Sequence, residues 1–589
     1  MACVKAPVDC DVAIIGGGPA GSTAGCLLRK YAPNLRVTIF ERERFPREHV
    51  GESQLPPISK VLDEMGAWDA VERAGFPIKI GATYRWGNSD KLWDFEFMPV
   101  KDYRDEPRPG RYEGQRTQLA FQVDRAIYDH ILLQHAQSCG CEVHEGTKVA
   151  SVKVNGDRVE CLVLEDGTEV RARYYLDGSG NAGIMRRALG VEIDAPTKLR
   201  NVAFWDYWEN AEWAVRFPQS ATRVLVLSIG AGWIWYIPLS PTRTSIGFIC
   251  PADYYKDSKR SPEEIYAWAL SQEPLVSDLT KNAQREGVVR ATKDWSFIAQ
   301  RMCGPNWFLI GEAAGFADPI LAAGLTLTHT SAREAAYTIL ELERGDLDSD
   351  WLRDQYHEIQ VRRIGQHIRF ADFWYSANGI FTDLQEYTTE IAKDAGLTLT
   401  PQKAFQWLGT GGFTDDVLGQ VGIGGLDLAG ARQVSQIFFA ADFQWKLDEV
   451  NELRLNVDGA ERTDIPVFRD GRIEVVPCWV RQGKRLPVTG LFAVMLSCVE
   501  KHKNIVDILK EASRALTGRQ NIGAESFTVK QAVQVLEVML GEGWIRGKLD
   551  PNKPRLQIGS PREGEQIHAN VDLNARIESL IASTSGASD

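Results

Sequence analysis

The 589-residue chain lacks any apolar run as long as the ~18 residues that a membrane-crossing helix needs. Its start, MACVKAPVDC, has neither the basic nor the apolar region of a secretory leader, so the expected location is the cytoplasm, with no membrane partner. Histidine is scarce, nine in all, and no two are spaced as HExxH or a similar ligand pair. The ten cysteines are scattered, and the one close pair, Cys139 and Cys141, has a single residue between them, unlike zinc or redox motifs. They read as isolated buried thiols, and no metal centre is expected. An excess of positive charge is also missing. Sixty-seven Lys and Arg against 79 Asp and Glu leave a net charge of -12, which repels nucleic acid and anionic membranes at long range. No period of 20 to 50 residues recurs, which excludes solenoids and propellers. What is present is an ordinary globular composition, 44% hydrophobic with 17 tryptophans, enough for two to four folding units and a large core. Redox chemistry, if any, must come from an organic cofactor.

The pattern along the chain is α/β. DVAIIG reads as an apolar strand, GGPAGSTAGCLLRKYA as a helix rich in small residues, and RVTIFE as a second strand, together a βαβ unit. QVDRAIYDHILLQHAQ is helical by spacing. KVASVKVNGDRVECLVLEDGTEVRARYYLDGSG reads as strands joined by Asn-Gly and Asp-Gly turns. More strands follow between about 200 and 250, and helices run from Leu325 through Gly345 and from Ser349 to about Asn378. Residues 1–380 are thus expected to form a nucleotide-binding domain with a strand-rich insertion at about 190–300. Residues 381–589 are expected to form a mainly helical region, with the glycine-rich stretch 410–430 as a hinge or lid. Within it, FTVKQAVQVLEVMLGEGWIRG has the outline of a winged-helix element, and from Glu500 onward 12 Lys and Arg balance 12 Asp and Glu, so it is read as a packing module rather than a DNA reader. The terminal IASTSGASD is expected to be disordered.

Chemistry enters with IIGGGPAG. Gly16 allows the tight turn, Gly18 admits a pyrophosphate, and Gly21 lets the helix pack on the strand with its N–H groups toward the phosphates. Glu41 ends the next strand 20 residues later, placed to accept hydrogen bonds from a ribose. NAD and FAD share this fingerprint. A second segment, WFLIGEAAGFADP, resembles the distal flavin motif of FAD enzymes with the glutathione-reductase type of fold, which implies that Gly311, Glu312, Asp318 and Pro319 belong to the cofactor site.

FERERFPREHVGES (Phe40 to Ser53), FQVDRAIYD (Phe121 to Asp129), LDGSGNAGIMRRALG (Leu176 to Gly190) and above all GWIWYIP (Gly232 to Pro238) resemble the flavin-dependent halogenases, whose signature is Trp-x-Trp-x-Ile-Pro. The matches run in order through residues 10 to about 375, and the C-terminal part resembles the longer members more loosely. The resemblance implies a glutathione-reductase-type FAD fold with an inserted mixed or antiparallel substrate sheet. It adds Arg42, Ser53 and Arg125 to the cofactor residues, places halide near Ala323 and Gly324, and makes Trp233, Trp235, Ile237 and Pro238 a wall beside the flavin. By strand alternation Trp233, Trp235 and Ile237 share one face. The same alternation puts Lys79 on the strand face opposite Ile78, Ile80 and Ala82, where composition alone makes it a solvated lysine. The resemblance makes it the essential amine.

The implied reaction needs FAD as FADH2 from a separate flavin reductase, O2, and chloride or bromide. Flavin hydroperoxide and halide give HOX, and Lys79 delivers electrophilic halogen to an electron-rich aromatic or activated acyl carbon of a small-molecule or carrier-tethered precursor. Departures from the family pattern are Glu312 in place of Asp, Ala323 in place of Ser or Thr, and no counterpart of the substrate-polarising Glu of tryptophan halogenases. An FAD-dependent monooxygenase of the same fold is the alternative.

Overall fold

The computed structural model describes residues 9–376, 378–380, 382–384, 445–517, 527–556 and 567–585. Two compact units are resolved, one formed by Met1–Leu397, Asp470–Arg472 and His568–Asp589, the other by Thr398–Arg469 and Ile473–Ile567. The glycine-rich stretch 410–430 lies outside the described residues.

In the first unit, a five-stranded parallel sheet has the order Trp307–Leu309, Ala172–Asp177, Cys10–Ile15, Val37–Glu41, Glu142–Glu145. The helix Pro19–Tyr31 connects the two central strands, and its residues Ala20, Ala24, Leu27 and Leu28 are buried, as the small and apolar spacing requires. Two long helices, Gly324–Arg344 and Ser349–Ser376, follow the last parallel strand. The Asn-Gly and Asp-Gly turns join an antiparallel excursion of Val149–Asn155, Arg158–Leu164 and Glu169–Val170, with Gly156 and Gly167 at positive φ.

The second sheet of this unit is mixed and ten-stranded. Arg200–Glu209, Arg243–Pro251, Gly232–Pro238 and Ala221–Ile229 run antiparallel in that order, and Ala221–Ile229 then pairs in parallel with Ile78–Arg85. The alternation of side chains gives this sheet two different faces. Phe204, Leu225, Leu227, Ile234, Tyr236, Ile246 and Phe248 pack with Ile265, Tyr266, Leu275 and Val276 of two covering helices. Trp205, Tyr207, Trp233, Trp235, Ile237 and Ser245 occupy the other face. Trp235 lies so close over its register partner Gly247 that a Cβ there would meet the indole at 2.1 Å.

The chain's end returns to this first unit. His568 Nε2 is 3.0 Å from Glu96, Asn570 donates to Asp94, and Arg576 pairs with Glu212 and Asp278. The last helix runs Val571–Ser585, so Ile581–Ser585 continue a helix that these bonds anchor, contrary to the disorder expected there.

The second unit packs helices Gly490–Lys501, Ile505–Thr517 and Phe527–Gly541 around Met495, Ile508, Val535, Leu536 and Trp544. The last of these helices ends in a turn with Gly543 at φ +79° and leads into the strand Ile545–Lys548, which pairs with Glu452–Leu455. A three-stranded sheet, Glu461–Arg469, Arg472–Arg481 and Lys484–Pro487, adds β structure that helical spacing alone did not suggest.

Candidate active site

The first strand ends at Ile15, and Gly16 turns the chain at φ +96°. A Cβ on Gly21 would stand 1.9 Å from the Gly16 carbonyl oxygen, so the helix lies against the turn as only glycine permits. The helix carries no acidic residue in its first turn and Arg29 and Lys30 in its last, which leaves its positive end for an anion. Arg47, which sequence reasoning missed, brings a guanidinium to this end, with Nη2 3.3 Å from where a Gly18 Cβ would stand. Glu41 is buried, and its oxygens accept the N–H of Gly17 (2.7 Å) and of Glu43 (2.9 Å), which fixes the carboxylate beside the glycine turn. Arg42 is exposed and pairs with neighbouring Glu43. Arg125 is held rigidly. Its Nε and Nη2 grip Asp129 at 2.7 and 2.9 Å, and Nη1 donates to the carbonyls of Val50 and Gly51. Its charge also acts on Glu312, whose carboxyl is pushed up by burial and drawn partly back by Arg125.

The distal segment closes on the same region. Gly311, at φ +60°, donates its N–H to Ser331 and packs against Ala20 of the first helix. Asp318 caps the short turn Pro319–Leu321 through the N–H of Ile320, and burial pushes its carboxyl up to about 6. Asn201 donates to it at 2.9 Å and Tyr375 at 3.1 Å, and the Tyr375 hydroxyl in turn accepts from Trp233 Nε1 at 2.6 Å. Tyr375 and Asn201 were not legible as site residues, since nothing in their local sequence distinguishes them. Ala322 takes a left-handed conformation (φ +56°), after which buried Ala323 and Gly324 open the long helix. Among the described residues nothing beyond its chain neighbours and its own helix lies within 4 Å of where a Gly324 Cβ would stand, so open space adjoins the first residue of this helix.

Trp233 and Trp235 are buried with ring centroids 6.2 Å apart. Trp235 donates to Ser245, and Trp86 packs edge-on to Trp233 at 6.4 Å and stacks on Trp374 at 6.2 Å. Ile237 and Pro238 complete a fully buried strand.

Lys79 is 2% exposed, which corrects the solvated surface expected from composition. Its strand face is covered: Nζ donates to the Gln54 carbonyl at 2.9 Å and stands 5.4 Å from the Phe97 ring centre. Among the described residues no carboxylate pairs with it, and burial alone pushes the amine down to about 7. Around the same loop, both oxygens of Glu52, the Ser53 hydroxyl and the side-chain amides of Gln54 and Gln122 are buried without hydrogen-bond partners. Ser53 and Gln122 face each other across an isolated bridge. Burial raises the Glu52 carboxyl to about 7, with the Ser245 and Tyr207 hydroxyls nearby. Buried polar atoms left unsatisfied in such a group mark a place for a ligand or water. Together with the glycine turn, this set fits an extended dinucleotide such as FAD, and Ser53, Gln122, Glu41 and the Gly16–Gly21 turn would hold it.

A family profile described as "FAD binding domain" matches residues 9–371. The chain is 31% identical over 388 residues to a 1H-pyrrole-2-carbonyl-(peptidyl-carrier protein) chlorinase of Pseudomonas fluorescens, covering 64% of this chain and 85% of that protein. It belongs to the flavin-dependent halogenase family. A tryptophan 2-halogenase of Chondromyces crocatus is 34% identical over 357 residues, 59% of this chain; the chain spans 64% of that halogenase's length. The crystal structure of CmlS, a flavin-dependent halogenase, superposes with a TM-score of 0.68 at 23% identity, covering 94% of this chain and 99% of that one, which places the fold. The α/β FAD-binding architecture expected from the sequence is therefore that of this halogenase family, and among the described residues no helix is long and apolar enough to cross a membrane.

Proposed function

We propose that this protein is an FADH2-dependent halogenase in which Lys79 carries halogen from the flavin side of the molecule to the substrate. Reduced FAD with O2, when bound, supplies the two-electron oxidant that converts chloride or bromide to hypohalous acid; the reduced cofactor comes from a separate flavin reductase. The residues of the chain do the rest. The helix Gly324–Arg344 begins beside open space at the Gly324 Cβ position, and its positive end at Ala323 and Gly324 would take the halide. Trp233 and Trp235 form an apolar wall that keeps the substrate from the cofactor. Lys79 receives the oxidant.

The observation that carries this reading is the buried, carboxylate-free amine of Lys79. An ammonium at its ordinary pKa of 10.5 has no lone pair to offer at neutral pH, whereas one lowered to about 7 is about half free amine there. The free amine attacks HOX to give the N-haloamine and water. An electron-rich carbon of the substrate then takes the halogen, and its displaced proton restores the amine. The substrate is an aromatic ring or activated acyl carbon of a natural-product precursor. Similarity to a chlorinase named for a peptidyl-carrier substrate supports the tethered form.

The test is mass spectrometry of products formed from free and carrier-bound candidates with reductase, FAD, O2 and either halide. Halogenation should show as an isotope doublet, favour the tethered substrate, and rise with pH through about 7. Lys79→Ala should lower halogenation at least ~100-fold while flavin oxidation continues. Ala323, which lacks the hydroxyl usual in the family, favours a second reading, an oxygen-transferring monooxygenase. Oxygenated product persisting in Lys79→Ala would establish that reading instead.

A further inference from the structure

The scattered cysteines are not all isolated. Cys26 lies in the first helix and Cys139 just past the end of the helix Arg125–Ser138, and the fold brings their thiols and the His135 ring within 4.8 Å of one another. Cys26 is fully buried, whereas Cys139 is half-buried. His135 Nε2 stands 3.5 Å from Cys139 Sγ and 2.8 Å from the Met65 carbonyl oxygen, so this nitrogen carries the proton and presents it between the two. Cys141 adds a third thiol close by, packed against Gly25.

We infer that Cys139 and Cys26 are a redox pair, Cys139 being the thiol that a peroxide attacks and Cys26 the thiol that resolves it into a disulfide. The surroundings prepare the two for different roles. Hydrogen bonds from Cys26 and then from His135 draw Cys139 down to about 4, so it is a thiolate at neutral pH, while burial drives Cys26 well up and keeps it a thiol. Cys303, also half-buried, gives its hydrogen bond to the Arg353 carbonyl, and burial raises it to about 12. Cys139 caps the helix and precedes Gly140 at φ +94°, so a shift of its backbone toward Cys26 disturbs only the helix's terminal bond, from the Cys139 N–H to the His135 carbonyl, and the bond from Arg29 Nε to the Cys139 carbonyl. The oxidant is hydrogen peroxide, the two-electron product of any reduced flavin that meets O2 without a second substrate. The Cys139 thiolate attacks one peroxide oxygen, the O–O bond breaks, and hydroxide leaves, giving a sulfenic acid. The Cys26 sulfur then attacks the Cys139 sulfur, a disulfide forms, and the sulfenic oxygen leaves as water with the Cys26 proton. Two thiols are oxidised by two electrons and one peroxide is reduced. The bond ties together the helices that begin at Pro19 and at Arg125.

The experiment treats the reduced, full-length protein with one equivalent of hydrogen peroxide and maps its peptides by mass spectrometry. A Cys26–Cys139 linkage reversed by dithiothreitol is expected. Cys26→Ser should instead leave a sulfenic acid on Cys139 that dimedone traps, and Cys141→Ser should leave the linkage intact. In the wild type without peroxide, iodoacetamide should label Cys139 at least ~10 times faster than Cys303 at pH 7, at a rate level from pH 5.5 to 8, where an ordinary thiol loses about tenfold per unit. A Cys139–Cys141 linkage, labelling no faster than Cys303, or a stoichiometric zinc ion that must be chelated before Cys139 reacts would each overturn the proposal.

Discussion

The tryptophan wall and the lysine chamber are both buried, yet they are finished to different degrees. At the wall, Trp233, Trp235 and Trp86 each have a hydrogen-bond acceptor, and Asp318 collects two side-chain donors and a backbone N–H. Around the Lys79 loop, Glu52, Ser53, Gln54 and Gln122 hold polar atoms with no partner, whereas on the wall's sheet face Trp205 Nε1 lacks one. Burying a polar group without a partner costs about 1–3 kcal/mol, so the second region is destabilised in the free protein more than the first. A wall must be rigid before anything binds. A site that receives a cofactor and a reactive acid keeps its hydrogen-bonding capacity open for them.

The comparison breaks most visibly at Lys79. Its proton is held at about 7 when folded but near 10.5 when unfolded, so between those values the unfolded chain binds more protons and stability rises with pH. At pH 7 the folded state therefore carries a large penalty. Lys79→Met should raise stability at pH 7 by about 2–4 kcal/mol, at roughly 1.4 kcal/mol per pKa unit less the hydrogen bond to Gln54. The gain should fade toward pH 10.5 while halogenation is lost at every pH. Thermal melts across this range check it; a destabilised variant at pH 7 would mean that the amine is solvated.

At the wall the sign reverses. Trp233→Phe removes the donor to Tyr375 and leaves a gap beside Trp86, and should cost about 1–3 kcal/mol at any pH between 6 and 9. Denaturant midpoints measure this. An unchanged midpoint would mean that the Trp233–Tyr375–Asp318 chain contributes nothing, and the contrast between the regions would lose its basis.

How much of this was legible in the sequence follows from the range of each interaction. The glycine turn, Glu41 and the tryptophan strand were readable because local backbone geometry or alternation dictates those residue types. The faces of the mixed sheet followed from the same alternation. Alternation misplaced Lys79 relative to Ala82, because the register against Ala221–Ile229 shifts between Lys79 and Gly81, and its burial was not readable because the Gln54 loop and Phe97 that cover it come from other segments. Tyr375 meets Trp233 across 142 positions, and Cys26 meets Cys139 across more than a hundred, so no spacing rule could pair either. The three-stranded sheet of the second unit was missed because the surrounding helical pattern outweighed three short runs.

The smallest expected effect gives the finest test of the contrast. Ser53→Ala deletes a hydroxyl that is buried without a partner, so the free protein should change by less than about 0.5 kcal/mol, with any shift toward greater stability. If the hydroxyl is kept for the cofactor, FAD affinity should nevertheless fall about fivefold, the worth of one hydrogen bond of ~1 kcal/mol. The two readouts, a melt without cofactor and a fluorescence titration with it, separate a ligand-directed group from a structural one. A clear loss of stability with unchanged FAD affinity would show that Ser53 serves the fold, and the unpartnered group around Lys79 would then have to be explained by ordered water rather than by the cofactor.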